Sequence, residues 1–145
     1  MYKSAGDLTY GIAQRWLNLT LMNLVVIEAN MKTRYWPLES TRKYFHVPVE
    51  QYLLEAATRK ATNNYQHSLG LKCAPLRHDD PDDYTMAWFV PGEVQPYERW
   101  GYSEYMEFQL AVRERLKEHI SKHIYRDPLD WAFRSFLEVS QAHNR

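Results

Sequence analysis

Two histidines spaced four residues apart are the first candidates for chemistry in this sequence. His119 and His123 lie in the segment EHISKH, where a helix would place both imidazoles on one face, as a shared metal requires. The residues between them do not form an HExxH pattern, and Lys122 beside the pair would repel a cation. A metal-assisted enzyme around these histidines is therefore one hypothesis, and a solvated helical face is the favoured alternative.

The segment HDDPDD, residues 78–83, places four aspartates within six positions. Carboxylate oxygens are the ligands that hard cations prefer. A calcium-binding loop of the common kind needs alternating acidic residues and a central glycine, whereas Pro81 stands in the middle here. We therefore interpret this segment as an acidic surface turn.

The sequence lacks the usual motifs of nucleophilic and nucleotide chemistry. It has no GxSxG segment, and Cys73 has no recognisable partner base. The five glycines are scattered, so they form no phosphate-binding loop. We therefore predict no catalytic residue, no metal ligand set and no cofactor, and we expect that the protein is not an enzyme.

The composition indicates a soluble protein of the cytoplasm. The chain has 145 residues, of which 45% are hydrophobic and 25% charged, an ordinary globular balance that can support one core. A single cysteine excludes an internal disulfide, as is usual in a reducing compartment. The longest apolar stretch, 17–27, is interrupted by polar residues and is shorter than the roughly 20 residues of a membrane span.

The charges are unevenly distributed although the formal net charge is zero. Residues 1–78 contain ten lysines and arginines against five acidic residues, a net charge of +5. Residues 79–145 contain eight against thirteen, a net charge of −5, and they include many aromatic residues. A basic half could face an anionic partner such as DNA, whereas the acidic half does not favour nucleic acid.

Helical spacing and capping residues predict a mainly α fold, with 1–145 forming one helical domain of four to five helices. The predicted helices cover 7–32, 40–45 and 49–68, followed by one from Ser103 and a last one opened by Asp127 and Pro128. Pro48 is expected at the first position of the third helix, with Gly70 as its stop. The apolar run YTMAWFV predicts one short strand at 84–90.

Two of these helices have apolar residues at helical spacing. In the first helix, the predicted stripe contains Leu8, Ile12, Trp16, Leu19, Val26 and Ile27. In the helix from Ser103, it contains Met106, Leu110, Arg113, Ile120 and Ile124. The second half of the first helix is hydrophobic nearly all round, so it must be surrounded, either by a second copy of the chain or by the rest of one protomer.

The segment TRKYFHVPVEQYLLEAATRK, residues 41–60, has the outline of a DNA-binding helix-turn-helix. Its second helix would begin at Val49 after the turn His46-Val47-Pro48. The side chains predicted to contact phosphates or a base edge are Arg34, Arg42, Lys43, Gln51, Arg59 and Lys60. His46 stands where a small turn residue is usual, and Glu50 and Glu55 would oppose the DNA backbone, so a purely structural helical corner is the alternative.

Aromatic residues in and around PYERWGYSEYMEF predict a protein interface, because aromatic and arginine side chains commonly anchor interfaces. The predicted interface residues are Trp16, Tyr97, Trp100, Tyr102 and Tyr105. A core that closes over a loop would use the same residue types, so both interpretations stay open.

The sequence thus leaves three hypotheses. The first is a small helical regulator that forms a homodimer through its first helix and contacts DNA through residues 40–60. The second is a non-enzymatic adaptor or inhibitor that binds another protein. The third is the metal-assisted enzyme around the two histidines.

Overall fold

A computed structural model describes residues 8–32, 38–71 and 97–145. Within these ranges it contains five α-helices and no β-strand, which confirms the prediction of a mainly α fold. The helices are α1 (Tyr10–Asn30), α2 (Leu38–Thr41), α3 (Gln51–Thr58), α4 (Tyr102–Ser121) and α5 (Pro128–His143). Two short 3₁₀ turns cover Arg42–Tyr44 and Tyr97–Arg99. The strand predicted at 84–90 lies outside the described residues.

Helix α1 begins at Tyr10 because Thr9 caps it. The Thr9 hydroxyl accepts a hydrogen bond from the Ile12 amide at 3.2 Å, which satisfies one of the free N–H groups of the first turn. The helix therefore starts later than the sequence predicts. Gly11 lets α1 approach the turn before α4 closely: its amide donates to the Trp100 carbonyl at 3.0 Å, and a Cβ at this position would lie 1.8 Å from the Tyr97 carbonyl oxygen.

The extended segment 46–50, between the 3₁₀ turn Arg42–Tyr44 and α3, is held by two glutamine side chains. The Gln109 amide of α4 accepts from the Val47 N–H at 3.0 Å and donates to its carbonyl at 2.8 Å. Likewise, the Gln14 amide of α1 accepts from the Val49 N–H at 3.3 Å and donates to the Val49 carbonyl at 3.2 Å. Val47 and Val49 are fully buried, so these amides satisfy backbone groups that water cannot reach.

Helix α3 is shorter than predicted and begins later. Glu50 caps it, since its carboxylate accepts from the Leu53 amide at 2.7 Å, so Pro48 lies before the helix and not at its first position. The chain then turns back at Gly70, whose φ of +61° suits glycine, and the amides of residues 69–71 donate to carbonyls at the end of α3. These bonds end the helix at Thr58, well before the predicted residue 68.

The main core lies between α3, α4 and α5, and α3 packs mainly on α5. The largest of its fully buried side chains are Trp100, Trp131, Phe108, Leu53 and Leu116. The stripe predicted for α4 is only partly correct, since Met106 and Ile120 pack against the core but Ile124 is exposed. The helix buries Tyr105, Phe108, Val112 and Leu116, whereas Leu110 of the predicted stripe faces solvent.

A buried ion pair joins the 3₁₀ turn Arg42–Tyr44 to the start of α5. The Arg42 guanidinium donates to both oxygens of Asp127, at 2.6 Å from Nε and 3.3 Å from Nη2. Asp127 also caps α5 by accepting from the Asp130 amide at 2.9 Å, and Pro128 follows it in the first turn. The predicted pairing of Asp127 as cap with Pro128 is therefore confirmed.

Replacing Asp127 with alanine should lower the free energy of unfolding by about 3–5 kcal/mol. The buried Arg42 would keep only the more distant and partly exposed Glu39, 3.7 Å away, as a counter-charge, and α5 would lose its cap. Chemical denaturation of both proteins measures this difference. The matched control is Glu114→Gln, which breaks an exposed pair with Lys117 and should leave the unfolding midpoint unchanged within error. Equal stabilities for the Asp127 variant and the wild type would contradict the proposed importance of the pair.

Replacing Gln14 with leucine should lower the free energy of unfolding by about 2–4 kcal/mol, since the buried N–H and carbonyl of Val49 would lose their partners. Gln141→Leu on the exposed side of α5 is the control and should have little effect. A Gln14→Leu protein as stable as the control would show that α1 docks by other contacts.

Candidate protein-interaction surface

Helix α1 is oriented with a largely polar face inward. The residues of α1 that the structure buries are Gly11, Gln14, Asn18, Met22, Val25 and Glu28. Met22 and Val25 pack with Leu129 in a small second core, and the Glu28 carboxylate accepts from the Glu39 amide at 3.2 Å. Of the apolar stripe predicted for this helix, Leu8, Trp16, Val26 and Ile27 are exposed, whereas Ile12 and Leu19 are half-buried.

Several large apolar side chains are exposed on the outer side of α1 and just before it, beside the exposed polar residues Thr20 and Asn23. They are Leu8, Trp16, Leu17, Val26 and Ile27. Trp16 is 69% exposed and Leu17 is 60% exposed. Scattered exposed apolar residues are normal on protein surfaces, but a contiguous group on one helix commonly marks an interaction site. Trp16, which is predicted from the sequence to lie at a protein interface, belongs to this group.

An open depression of about 550 Å³ lies on this face around Ala13. Its walls are formed by Leu8, Trp16, Leu17 and Thr20. Counted from Ala13, three of these residues stand at i+3, i+4 and i+7, and such a group of four is the hole that receives a side chain of a facing helix in knobs-into-holes packing. The Thr20 hydroxyl donates to the Trp16 carbonyl at 2.8 Å, so no unsatisfied donor lines the hole.

The other predicted interface aromatics have different surroundings. Tyr102 is exposed and packs edge-to-face on Tyr10, with ring centroids 5.6 Å apart. Tyr97 is half-buried, and the Arg15 guanidinium lies 5.7 Å from its ring centre. Trp100 is 1% exposed and lies in the core, so it cannot contact a partner without unfolding.

Tyr105 also lies in the core, within a chain of polar side chains. Its hydroxyl accepts from the Asn18 amide at 2.9 Å and is hydrogen-bonded to Nδ1 of His46. Burial raises the pKa of Tyr105 to about 12, so the hydroxyl stays protonated and can donate to His46. Burial and, secondarily, the positive charge of Arg113 lower the pKa of His46, which favours the neutral imidazole that accepts this bond.

Of the five described residues predicted to contact DNA, Arg42 is buried and the other four are exposed. The Arg42 guanidinium binds Asp127, so it is not available to contact a phosphate. Arg59 pairs with Glu55 at 2.5 Å, and its guanidinium lies 4.1 Å from the ring centre of Tyr65. The remaining described candidates, Lys43, Gln51 and Lys60, are exposed, and Arg34 lies outside the described residues.

Helix α3 presents little surface to a DNA groove. It is eight residues long and buries Leu53, Leu54, Ala56 and Ala57. Its outer side includes Glu55, whose carboxylate also binds His143 at 2.8 Å. A recognition helix needs a free face of donors and acceptors over several turns, so this geometry gives the helix-turn-helix interpretation little support.

The two histidines of EHISKH do not share a helical face. Helix α4 ends at Ser121, and His123 adopts a left-handed conformation with φ of 58°. The amides of His123 and Ile124 donate back to carbonyls of the last turn, an ending that glycine usually provides. Across residues 8–32, 38–71 and 97–145, no group of three possible ligands could hold a metal ion. The acidic segment 78–83 lies outside these ranges.

Comparison of the chain with protein-family models, with curated proteins and with solved structures gives no match in any of the three. The candidate surface is therefore assigned from its own geometry. None of the helices in the described part of the chain combines the length and apolar character that crossing a bilayer requires.

The half-buried His46 predicts a pH dependence of stability. Because its pKa is lower in the folded state than in the unfolded chain, the unfolded state takes up a proton first as the pH falls below about 6.5. The free energy of unfolding should therefore decrease with falling pH in the window below that value, with a slope of at most about 1.4 kcal/mol per pH unit from this one group.

The variant His46→Gln isolates this contribution. Denaturation of both proteins between neutral pH and pH 5 should show a flatter pH dependence for the variant than for the wild type. Parallel curves would mean that His46 titrates alike in the folded and unfolded states.

Proposed function

We propose that this protein is a non-enzymatic adaptor of the cytoplasm that binds another protein chain through the outer face of α1. The observation that supports this proposal is the orientation of the helix. It buries Gln14 and Asn18 together with Met22 and Val25, and it leaves Trp16, Leu17, Val26 and Ile27 exposed to solvent. A surface of this kind gains free energy when a partner removes it from water.

The energetics of such binding are favourable. Full burial of one large apolar side chain contributes about 1.5–3 kcal/mol, and the outer face of α1 presents five of them. Trp16 stands beside the depression at Ala13, and tryptophan is among the residues that most often dominate binding energy at interfaces. Neither Arg15 nor Glu28, the charged residues of α1, belongs to this face.

The two other hypotheses receive less support. A DNA-binding regulator would rely on Lys43, Gln51 and Lys60 among the described residues, since Arg42 and Arg59 are held in ion pairs. A metal-assisted enzyme would need His119 and His123 on one face, and the end of α4 separates them.

Photo-crosslinking in cells tests the proposal. A photoreactive amino acid at Leu17 should give discrete products of higher mass, because this position would lie within the interface. The matched control is the same amino acid at Leu110 of α4, which is 62% exposed and so comparable to Leu17. Adding Ile27→Glu should abolish the products at position 17, since a carboxylate would be buried without a partner.

Identical products from positions 17 and 110, or none from either, would contradict the proposal. Retardation of duplex DNA at low salt, weakened by Lys43→Ala and Lys60→Ala, would instead favour the DNA-binding regulator.

A further inference from the structure

The first half of α1 is docked mainly by polar contacts. In the described part of the chain, the main core between α3, α4 and α5 includes no residue of α1. The large apolar residues that α1 buries, Met22 and Val25, lie in its second half. Before them, Gln14 and Asn18 dock the helix through their side-chain amides. Elements with few buried apolar contacts are those that open locally at the lowest cost in free energy.

The two amides belong to a chain of hydrogen bonds whose direction is fixed at one end. The N–H of Val49 donates to Oε1 of Gln14, so this oxygen must be an acceptor. The Asn18 amide nitrogen donates to the same oxygen at 3.1 Å and to the Tyr105 hydroxyl at 2.9 Å. The hydroxyl, which accepts from Asn18, therefore directs its own hydrogen toward Nδ1 of His46.

This direction requires a neutral His46 with its proton on Nε2. A neutral imidazole accepts at one nitrogen only, and here that nitrogen is Nδ1. A proton on Nδ1 would make both His46 and Asn18 donors to Tyr105, and the hydroxyl hydrogen would lose its acceptor. Because Tyr105 is 3% exposed, water cannot readily replace that acceptor. Turning the Asn18 amide around would set its oxygen against the acceptor oxygen of Gln14, so one buried hydrogen bond is lost in either case.

The charges around His46 also oppose an imidazolium. The titratable and charged groups on its side of the core are Tyr105 and Arg113 of α4, and Tyr10 of α1, whose ring lies 5.2 Å from the Tyr105 ring. The Arg113 guanidinium is held in place, because it donates to the carbonyls of residues 43–45 at distances between 2.8 and 3.2 Å. None of these three groups is a carboxylate that would stabilise a positive charge on the imidazole.

We propose that His46 is a proton-sensitive switch for the docking of the first half of α1, residues 10–21. With a neutral His46 the hydrogen-bond chain is complete and this half stays on the buried segment 46–50. Proton uptake by His46 raises the population in which this half is released, while Met22 and Val25 keep the second half in place. Since the docked state disfavours the proton, docking is strongest above the ordinary histidine pKa of about 6.5 and weakens as the pH falls below it.

Hydrogen–deuterium exchange of the full chain tests whether the release is local. After correction for the intrinsic pH dependence of exchange, the protection of the amides of residues 14–21 should fall between pH 7 and pH 5, by at most about tenfold per pH unit. The protection of residues 131–139 in α5 should fall less. Equal losses in both helices would indicate global unfolding and would overturn the switch.

Two asparagine variants form a matched pair for the same measurement. In His46→Asn the side chain does not titrate, and its Oδ1 can accept from Tyr105, so the protection of α1 should no longer fall at low pH. His67→Asn is the control, because Nδ1 of His67 contacts the Tyr125 hydroxyl at 2.9 Å but this pair is not part of the chain that leads to Gln14. The control should respond like the wild type. A response that survives unchanged in His46→Asn overturns the proposal.

Nitrogen NMR of the wild type tests the direction of the chain without any substitution. At neutral pH, Nε2 of His46 should carry the proton and Nδ1 should have the chemical shift of an unprotonated acceptor. A proton on Nδ1 would reverse the chain and overturn the inference. The switch goes beyond the protein-binding function proposed above, and none of these measurements involves a partner, so their failure would leave that proposal unaffected.

Discussion

The pairing of glutamine side chains with the buried segment 46–50 is the constraint on which the rest of the structure depends. Gln14 and Gln109 each bind an N–H and a carbonyl of that segment, in the way that a neighbouring strand would. Within residues 8–32, 38–71 and 97–145 this extended segment has no strand to pair with, and unpaired backbone groups in a buried position are destabilising. The side-chain amides of Gln14 in α1 and Gln109 in α4 provide hydrogen-bond partners for these backbone groups.

This solution determines which side of α1 faces inward. A helix that must deliver an amide to Val49 and another, from Asn18, to Tyr105 has to bury its polar side. Its apolar side is then left for solvent or for a partner. The proposed adaptor function follows from this orientation, which is set by hydrogen bonds to a segment that the proposed interface does not include.

The helices could be predicted from the sequence, whereas the faces of α1 and α4 could not. Periodicity and caps indicate helices well, and Asp127 with Pro128 marks the start of α5 correctly. The orientation of a helix is usually inferred by assuming that its most apolar face is buried. That assumption was wrong for α1, which buries Gln14 and Asn18 and exposes Trp16 and Leu17. Helix α4 does bury an apolar face, but that face includes Tyr105 and Gln109, which the predicted stripe left out. Likewise, residue type does not distinguish exposed Trp16 from buried Trp100, or the paired Arg42 from the exposed Lys43.

Hydrogen bonds are directional, unlike the hydrophobic contacts that anchor most helices of small proteins. A helix held by Gln14 and Asn18 cannot roll about its own axis without breaking several bonds at once. The exposed side of α1 is therefore displayed in one fixed rotation before any partner arrives. Such preorganisation reduces the entropy lost on association, so a modest apolar surface can bind more tightly than a mobile helix of the same composition.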